Sequence, residues 1–139
     1  MKMIVTVMLA SFFALPAVAA PLAELQWKNR ALVIFADTAD PAFQKQKDML
    51  KAEEPGLSER QLVVIHVDGE TAETLAGADD YDGKALRAAL SEGGRATSFE
   101  LVLIGKDGTV KLRRGEPVAM AELFGVIDAM PMRAGEAGQ

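Results

Sequence analysis

Ala31-Leu32-Val33-Ile34-Phe35-Ala36-Asp37-Thr38-Ala39-Asp40-Pro41 is the stretch on which the fold turns. Its first six residues are apolar and rich in strand formers, and polar residues follow at once. Such a run reads as a strand covered on both faces, as in a sheet packed between helices. Asp40 and Pro41 then open a helix. The aspartate accepts from an amide that has no intrahelical partner, and proline at the first helical position gives up only a hydrogen it would not use. Phe43, Gln46, Lys47 and Leu50 continue at helical spacing with Met49 beside them, and Pro55-Gly56 is expected to end the helix.

Outward from this unit, Gln61 to Asp68 forms a second strand, apolar on both faces. A strand, a helix and a strand in this order make a βαβ unit with a right-handed crossover. Residues 69–82 are acidic and lack a clear period, which predicts a surface loop. Asp82 caps a helix over residues 83–92, where Leu86 and Leu90 stand four apart, and Gly93-Gly94 closes it. Phe99 to Ile104, the turn Gly105-Lys106-Asp107-Gly108, and Thr109 to Arg113 read as a β-hairpin. Met120, Leu123, Phe124, Ile127 and Met130 then share one face of an amphipathic helix. Pro131 is expected to stop that helix, and the tail over residues 134–139 to be disordered. No internal repeat is visible. The resulting order, β-α-β-α-β-β-α, is the minimal thioredoxin-like α/β sandwich: a four-stranded mixed sheet with helices on both faces.

Several segments also resemble one family in their wording. These are Trp27-Lys28-Asn29-Arg30 before the first strand, Leu103-Ile104-Gly105-Lys106-Asp107-Gly108, Lys111-Leu112-Arg113 with Glu116-Pro117-Val118, Glu122-Leu123-Phe124, and Ile127-Asp128-Ala129-Met130-Pro131-Met132-Arg133. Together they resemble the domain of unknown function 4174 family, the P-DUDES domain, over about residues 21–133. The resemblance implies a thioredoxin-like or peroxiredoxin-like fold, found in small bacterial exported proteins and animal matrix proteins, with no established activity.

The amino terminus reads as an export signal. Met1-Lys2-Met3 gives a short basic start, Ile4 to Leu15 is apolar apart from Thr6 and Ser11, and Ala17-Val18-Ala19 fits the small-x-small cleavage rule. Cleavage before Ala20 is expected, giving a signal peptide over residues 1–19, a domain over residues 20–133 and a periplasmic or secreted destination. The apolar run is shorter than the roughly 20 residues of a spanning helix, so no membrane span is expected after cleavage. Loss of Lys2 leaves 14 basic residues against 20 acidic ones, a net charge of −6. That balance argues against nucleic acid or an anionic membrane surface as a partner.

The chain has no cysteine. In redox-active thioredoxin-like proteins a thiol sits between the first strand and the first helix, where the helix amino end stabilises a thiolate. Here Asp37-Thr38-Ala39-Asp40-Pro41 occupies that place, and no proline precedes Phe99, where the active fold keeps one. Thiol-disulfide exchange and cysteine peroxidase chemistry are therefore excluded. His66 is the only histidine, and an isolated imidazole in a strand reads as a packed, hydrogen-bonded residue. With so few soft ligands no transition-metal site is expected. An EF-hand-like loop ending at Ala89 would begin at Ala78 and lack the closing glutamate, so no calcium is expected either. No cofactor is indicated and no catalytic residue is assigned, because nothing in the spacing brings Asp37 and Asp40 to His66.

Lys28, Arg30, Arg113, Arg114 and Arg133 fall at element ends, where ion pairs with Glu116 or Asp128 are the ordinary expectation and a small anion site the sharper one. Trp27 is expected to pack over one edge of the core. The favoured reading is an exported, non-redox binding or adaptor module for an unknown protein or envelope component. The alternative is a small-ligand protein or cysteine-free enzyme using the region where the redox centre would lie. Trp27, Arg30, Asp37, Asp40, Phe99 and Arg113 are the candidate ligand-binding residues.

Overall fold

All seven residues of β1 (Arg30–Ala36) are buried, so this strand has no solvent face. The computed structural model describes residues 20–92 and 98–137. The expected signal peptide and the Gly93-Gly94 helix end lie outside the described residues. β2 (Leu62–Asp68) runs parallel to β1, with Arg30 opposite Leu62 and Phe35 opposite Val67. On the other side β4 (Phe99–Ile104) runs antiparallel, with Ala36 opposite Phe99 and Ala31 opposite Ile104. β5 (Val110–Arg114) returns from β4 as a hairpin, and β3 (Thr71–Ala76) returns from β2. The order across the sheet is β3-β2-β1-β4-β5. Its four inner-to-edge strands β2-β1-β4-β5, one parallel pair and one antiparallel hairpin, are the thioredoxin-like arrangement.

Alternation divides the sheet between two cores. Leu32 and Ile34 of β1, Val64 of β2, and Leu101 and Leu103 of β4 face α1 (Pro41–Lys51), α2 (Glu54–Glu59) and α4 (Met120–Asp128) through Phe43, Leu57 and Leu123. Val33, Phe35, Ile65, Val67 and Val102 face the opposite way, toward α3 (Gly83–Leu90) and a 3-10 helix, Ala20–Leu25, whose Leu22 and Leu25 are buried. The period of two along each strand makes this division unavoidable once both faces are covered. Gln46 occupies a buried position in the α1 stripe. Its amide nitrogen donates to Val118 O at 3.1 Å, and its oxygen accepts from Val118 N–H at 2.7 Å. That reciprocal pair fixes the segment entering α4.

Three expectations are corrected. The sheet has five strands rather than four, because the acidic segment treated as a loop contains β3. Gly69, at φ +58°, is the first central residue of a two-residue turn between Asp68 and Thr71, a position that costs glycine little. The strand escapes a hydropathy reading because it is half-exposed and held by main-chain bonding to β2. Pro55-Gly56 does not end α1; Pro55 lies in the first turn of α2, where its missing N–H is harmless, and α1 has already stopped at Lys51. Finally, Pro131 opens α5 (Pro131–Ala137) where a disordered tail over residues 134–139 is expected from sequence. Arg133 and Glu136 of this helix are engaged in ion pairs with the body of the fold.

Two glycines separate close packing from open space. A Cβ at Gly83 would lie 2.5 Å from Glu70 O and 2.8 Å from Ala72 N, both main-chain atoms of the β2–β3 hairpin. Gly125, inside α4, would meet nothing within 4 Å. Gly83→Ala is expected to destabilise the protein by about 1–3 kcal/mol, the usual effect of overpacking. Gly125→Ala is expected to stabilise it by about 0.5–1 kcal/mol through helix propensity. Urea unfolding of both variants checks the pair; equal effects would contradict the placement of α3 against the hairpin.

Candidate functional site

Because β1 has no exposed face, polar groups gather at its two ends. At the carboxyl end, His66 is buried in β2 with its ring stacked on Phe43 of α1, centroids 3.7 Å apart and planes 15° from parallel. Its Nε2 lies 2.8 Å from Ala36 O. A carbonyl only accepts, so Nε2 carries a hydrogen and donates it. Nδ1 points to the neighbourhood of Glu73 Oε2, 3.8 Å away. The acidic neighbours of His66 thus come from its own hairpin, rather than from Asp37 or Asp40.

The junction between β1 and α1 is closed by its own hydrogen bonds. Asp68, last residue of β2, accepts from Thr38 N–H at 3.1 Å and from the Thr38 hydroxyl at 2.7 Å. These two bonds hold its carboxyl below the ordinary value, with His66 and Arg87 adding weaker attraction against a small burial penalty. Gln44 donates to Thr38 O at 2.6 Å, and Asp40 caps α1 by accepting from Ala42 N–H at 2.8 Å. Beside this junction Thr38, His66, Asp68, Thr71 and Glu73 line an open cleft of about 360 Å³. The arrangement offers two carboxylates and two hydroxyls to a polar or cationic group, with one imidazole behind them. Among the described residues no three His, Cys, Asp or Glu side chains gather as a metal-binding group.

The candidate residues named from sequence do not form one site. Asp37 is exposed at the junction, Asp40 caps α1, and Phe99 is buried opposite Ala36, so these three share the carboxyl end. Arg113 lies opposite Val102 and binds Leu90 O at 2.7 Å, Glu100 at 3.3 Å and Glu92 at 3.4 Å, partners other than the expected Glu116 or Asp128. Trp27 and Arg30 are at the amino end of β1, about 20 Å from Ala36 at roughly 3.3 Å per residue. Trp27 is 61% exposed, against the expectation that it packs over the core. Sequence reading missed Thr38, Asp68, Thr71 and Glu73 as a group because it did not see β3. Gly69-Glu70 after an apolar strand, with glycine at the first central position, is the hairpin signal that points to them.

At the amino end, Arg30 donates from Nη1 to Arg60 O at 2.9 Å and to Glu136 at 3.1 Å. Lys106 Nζ bonds both Glu136 and Gln61. Burial would raise the Glu136 carboxyl, but Lys106 and Arg30 outweigh it and hold the group low. Asp128 is likewise lowered, first by its bonds to Arg60 and then by those to Arg133, against burial. At Asp107 burial is overcome by Lys111 and Thr109, which hold the carboxyl down at about 2. Arg114 pairs with Glu122 at 3.1 Å, and Arg133 with Glu59 at 2.7 Å and Asp128 at 3.1 Å.

The family model described as domain of unknown function (DUF4174) matches residues 21–136. No curated protein matches the chain. Among solved structures, the chain is similar to a secreted Mycobacterium tuberculosis disulfide oxidoreductase homologous to E. coli DsbE. The identity is 16%, over 78% of this chain and 86% of that one, with a TM-score of 0.45. No helix among the described residues is long and apolar enough to cross a membrane.

Two outcomes follow from these contacts. Asp40→Ala removes the α1 cap and is expected to cost about 1 kcal/mol in urea unfolding; an unchanged midpoint would contradict the capping role. Asp68, Asp107, Asp128 and Glu136 all have folded-state values below their ordinary 3.8 or 4.5, with Asp107 at about 2. A depressed carboxyl contributes stability that is fully present above its unfolded value and is lost as pH falls through the folded one. The urea midpoint should therefore hold above about pH 5 and decline from about pH 4.5 toward 2. A midpoint that rises in that window would contradict it.

Proposed function

We propose that this protein, which belongs to the DUF4174 family, is an exported, non-redox binding module that holds its partner at the carboxyl end of the central strand. The reading rests on one observation above all. Where a redox thioredoxin-like protein keeps a thiol, this chain has a junction tied by Asp68 to Thr38 and by Asp40 to Ala42, beside an open polar cleft. Without cysteine there is no thiolate to generate and no disulfide to exchange. What remains is recognition. Asp68 and Glu73 supply negative charge, Thr38 and Thr71 supply hydroxyls, and the exposed Asp37 extends the acidic rim. Such a surface suits a basic side chain or another cationic group of a protein or envelope component. Export is supported by the basic, apolar and small-residue order of residues 1–19.

A small polar ligand in the same cleft is the second reading. A volume of about 360 Å³ favours it, since small-molecule sites begin at roughly 300 Å³. Asp37 adjoins Thr38 of the cleft, while Phe99 is buried in β4 beyond β1 and Arg113 stands apart on the α3 side of the sheet.

One experiment tests both. The protein and its Asp68→Asn/Glu73→Gln variant are crosslinked in their native envelope or medium, captured and compared by mass spectrometry. A protein recovered with the parent and lost with the variant supports the adaptor reading, and a small molecule with the same behaviour supports the second. Equal recovery from both, or no specific recovery from either, overturns the cleft as the binding site.

A further inference from the structure

β3 is an outer strand of the sheet, and beyond its pairing with β2 its main chain is bonded to no other described residue. A row of free N–H and C=O groups is a template for one more strand, and natural sheets ordinarily guard such an edge with charges, lysine above all, or with proline. The opposite edge is guarded in this way, since β5 carries Lys111, Arg113 and Arg114. β3 holds a single charge, Glu73, and neither lysine nor proline. It is the edge left open.

The face that β3 turns toward α1 carries two kinds of surface in line. Side chains two residues apart on a strand share a face and lie about 7 Å from each other. Asp68, His66 and Val64 of β2 therefore form one stripe with Thr71, Glu73 and Leu75 of β3. Its first part is the acidic cleft, to which Glu73 belongs. Its second part is an apolar pocket of about 60 Å³ lined by Leu50, Leu57, Val64, Leu75 and Ala76. The register shift beside Val64 sets two residues of β3 against one of β2, and Leu75 and Ala76 both reach the pocket. A water needs roughly 10–15 Å³ by this measure, so several atoms of an aliphatic side chain can enter. Lys47, Lys51 and Glu54 complete the lining, an excess of one positive charge. The two lysine side chains make no ion pair or hydrogen bond among the described residues; Lys47 lies over the Phe43 ring, 5.9 Å from its centroid. Because Phe43 stacks on His66 and Leu50 lines the pocket, α1 runs from cleft to pocket and Lys51 stands at its far end.

Resting on the cleft as the binding site, we propose that β3 takes an extended peptide segment of a partner protein as a further strand of the sheet. A basic side chain of the segment enters the acidic cleft, an aliphatic side chain two residues away fills the pocket, and an acidic side chain two residues beyond that meets Lys51. Main-chain bonds along β3 supply affinity, and the alternate side chains supply the selection. The spacing of the three side chains is the period of the strand itself.

The probe is a capped seven-residue peptide in which glutamate, leucine and arginine alternate with threonine, titrated into the protein by two-dimensional NMR beside the same peptide in reverse order. Saturable shifts at the Ala72 to Ala76 amides are expected with one of the two, and the tighter binder gives the direction of the added strand. Serine in place of the peptide's leucine should weaken binding about tenfold. Two N-methylated forms block alternate main-chain N–H groups; one should lose binding and the other keep it. Leu75→Ser should weaken binding, and if that variant does not fold, Lys47→Glu/Lys51→Glu takes its place and should weaken it several-fold through like charge. Asp68→Asn/Glu73→Gln should weaken it as well. Binding that depends on the acidic pair alone, indifferent to leucine, lysines and N-methylation, overturns the added strand and leaves the cleft reading standing. Binding indifferent to the acidic pair overturns both. No saturable shift with either peptide, or a dimer in solution that Leu75→Arg splits, which assigns the edge to a second copy, overturns the proposal.

Discussion

The whole molecule depends on burial of β1 on both faces. A strand with helices above and below cannot place polar side chains along its length, so its main chain is satisfied by β2 and β4 and its chemistry is displaced to its ends. At the carboxyl end the Ala36 carbonyl receives His66, and the following loop is tied down by Asp68. At the amino end Arg30, buried without exposed surface, collects Arg60 O and Glu136. The polar groups at the two ends are therefore consequences of one constraint, and their separation is the length of the strand.

The central elements were legible in the sequence because each carries its own signal. Ala31 to Ala36 is an unbroken apolar run and Phe99 to Ile104 is interrupted only by Glu100, and both match strands to within a residue. Asp40 and Asp82 act as the caps their positions suggest, accepting from Ala42 and Ala85 N–H groups. The elements that sequence did not foretell lack that autonomy. β3 is an edge strand held by main-chain bonds to β2, α2 has only six residues, and α5 is anchored by Arg133 and Glu136 to groups distant in the chain. Such structure is decided by tertiary contacts, which a local pattern does not encode.

The same limit applies to the sites. Residue types pointed to Asp37 and Asp40, whereas the cleft is furnished by Thr38, Asp68, Thr71 and Glu73 across a hairpin that hydropathy does not reveal. The absence of cysteine was plain from the start, yet its structural counterpart is visible only in the fold: a carboxylate now accepts the hydrogen bonds of the residue at the junction. Trp27 shows the reverse case, a large apolar residue beside a core strand that the left-handed backbone directs away from it.

The β1–α1 junction does not favour a thiolate, because the Asp68 carboxylate already accepts from the Thr38 N–H and hydroxyl. A single cysteine placed by Thr38→Cys sets a thiol beside that carboxylate, and its pKa can be read from the pH dependence of alkylation. Like charge should hold the thiol above the ordinary value of about 8.5. A value below about 7.5, the range of thiols activated at a helix amino end, would contradict the account.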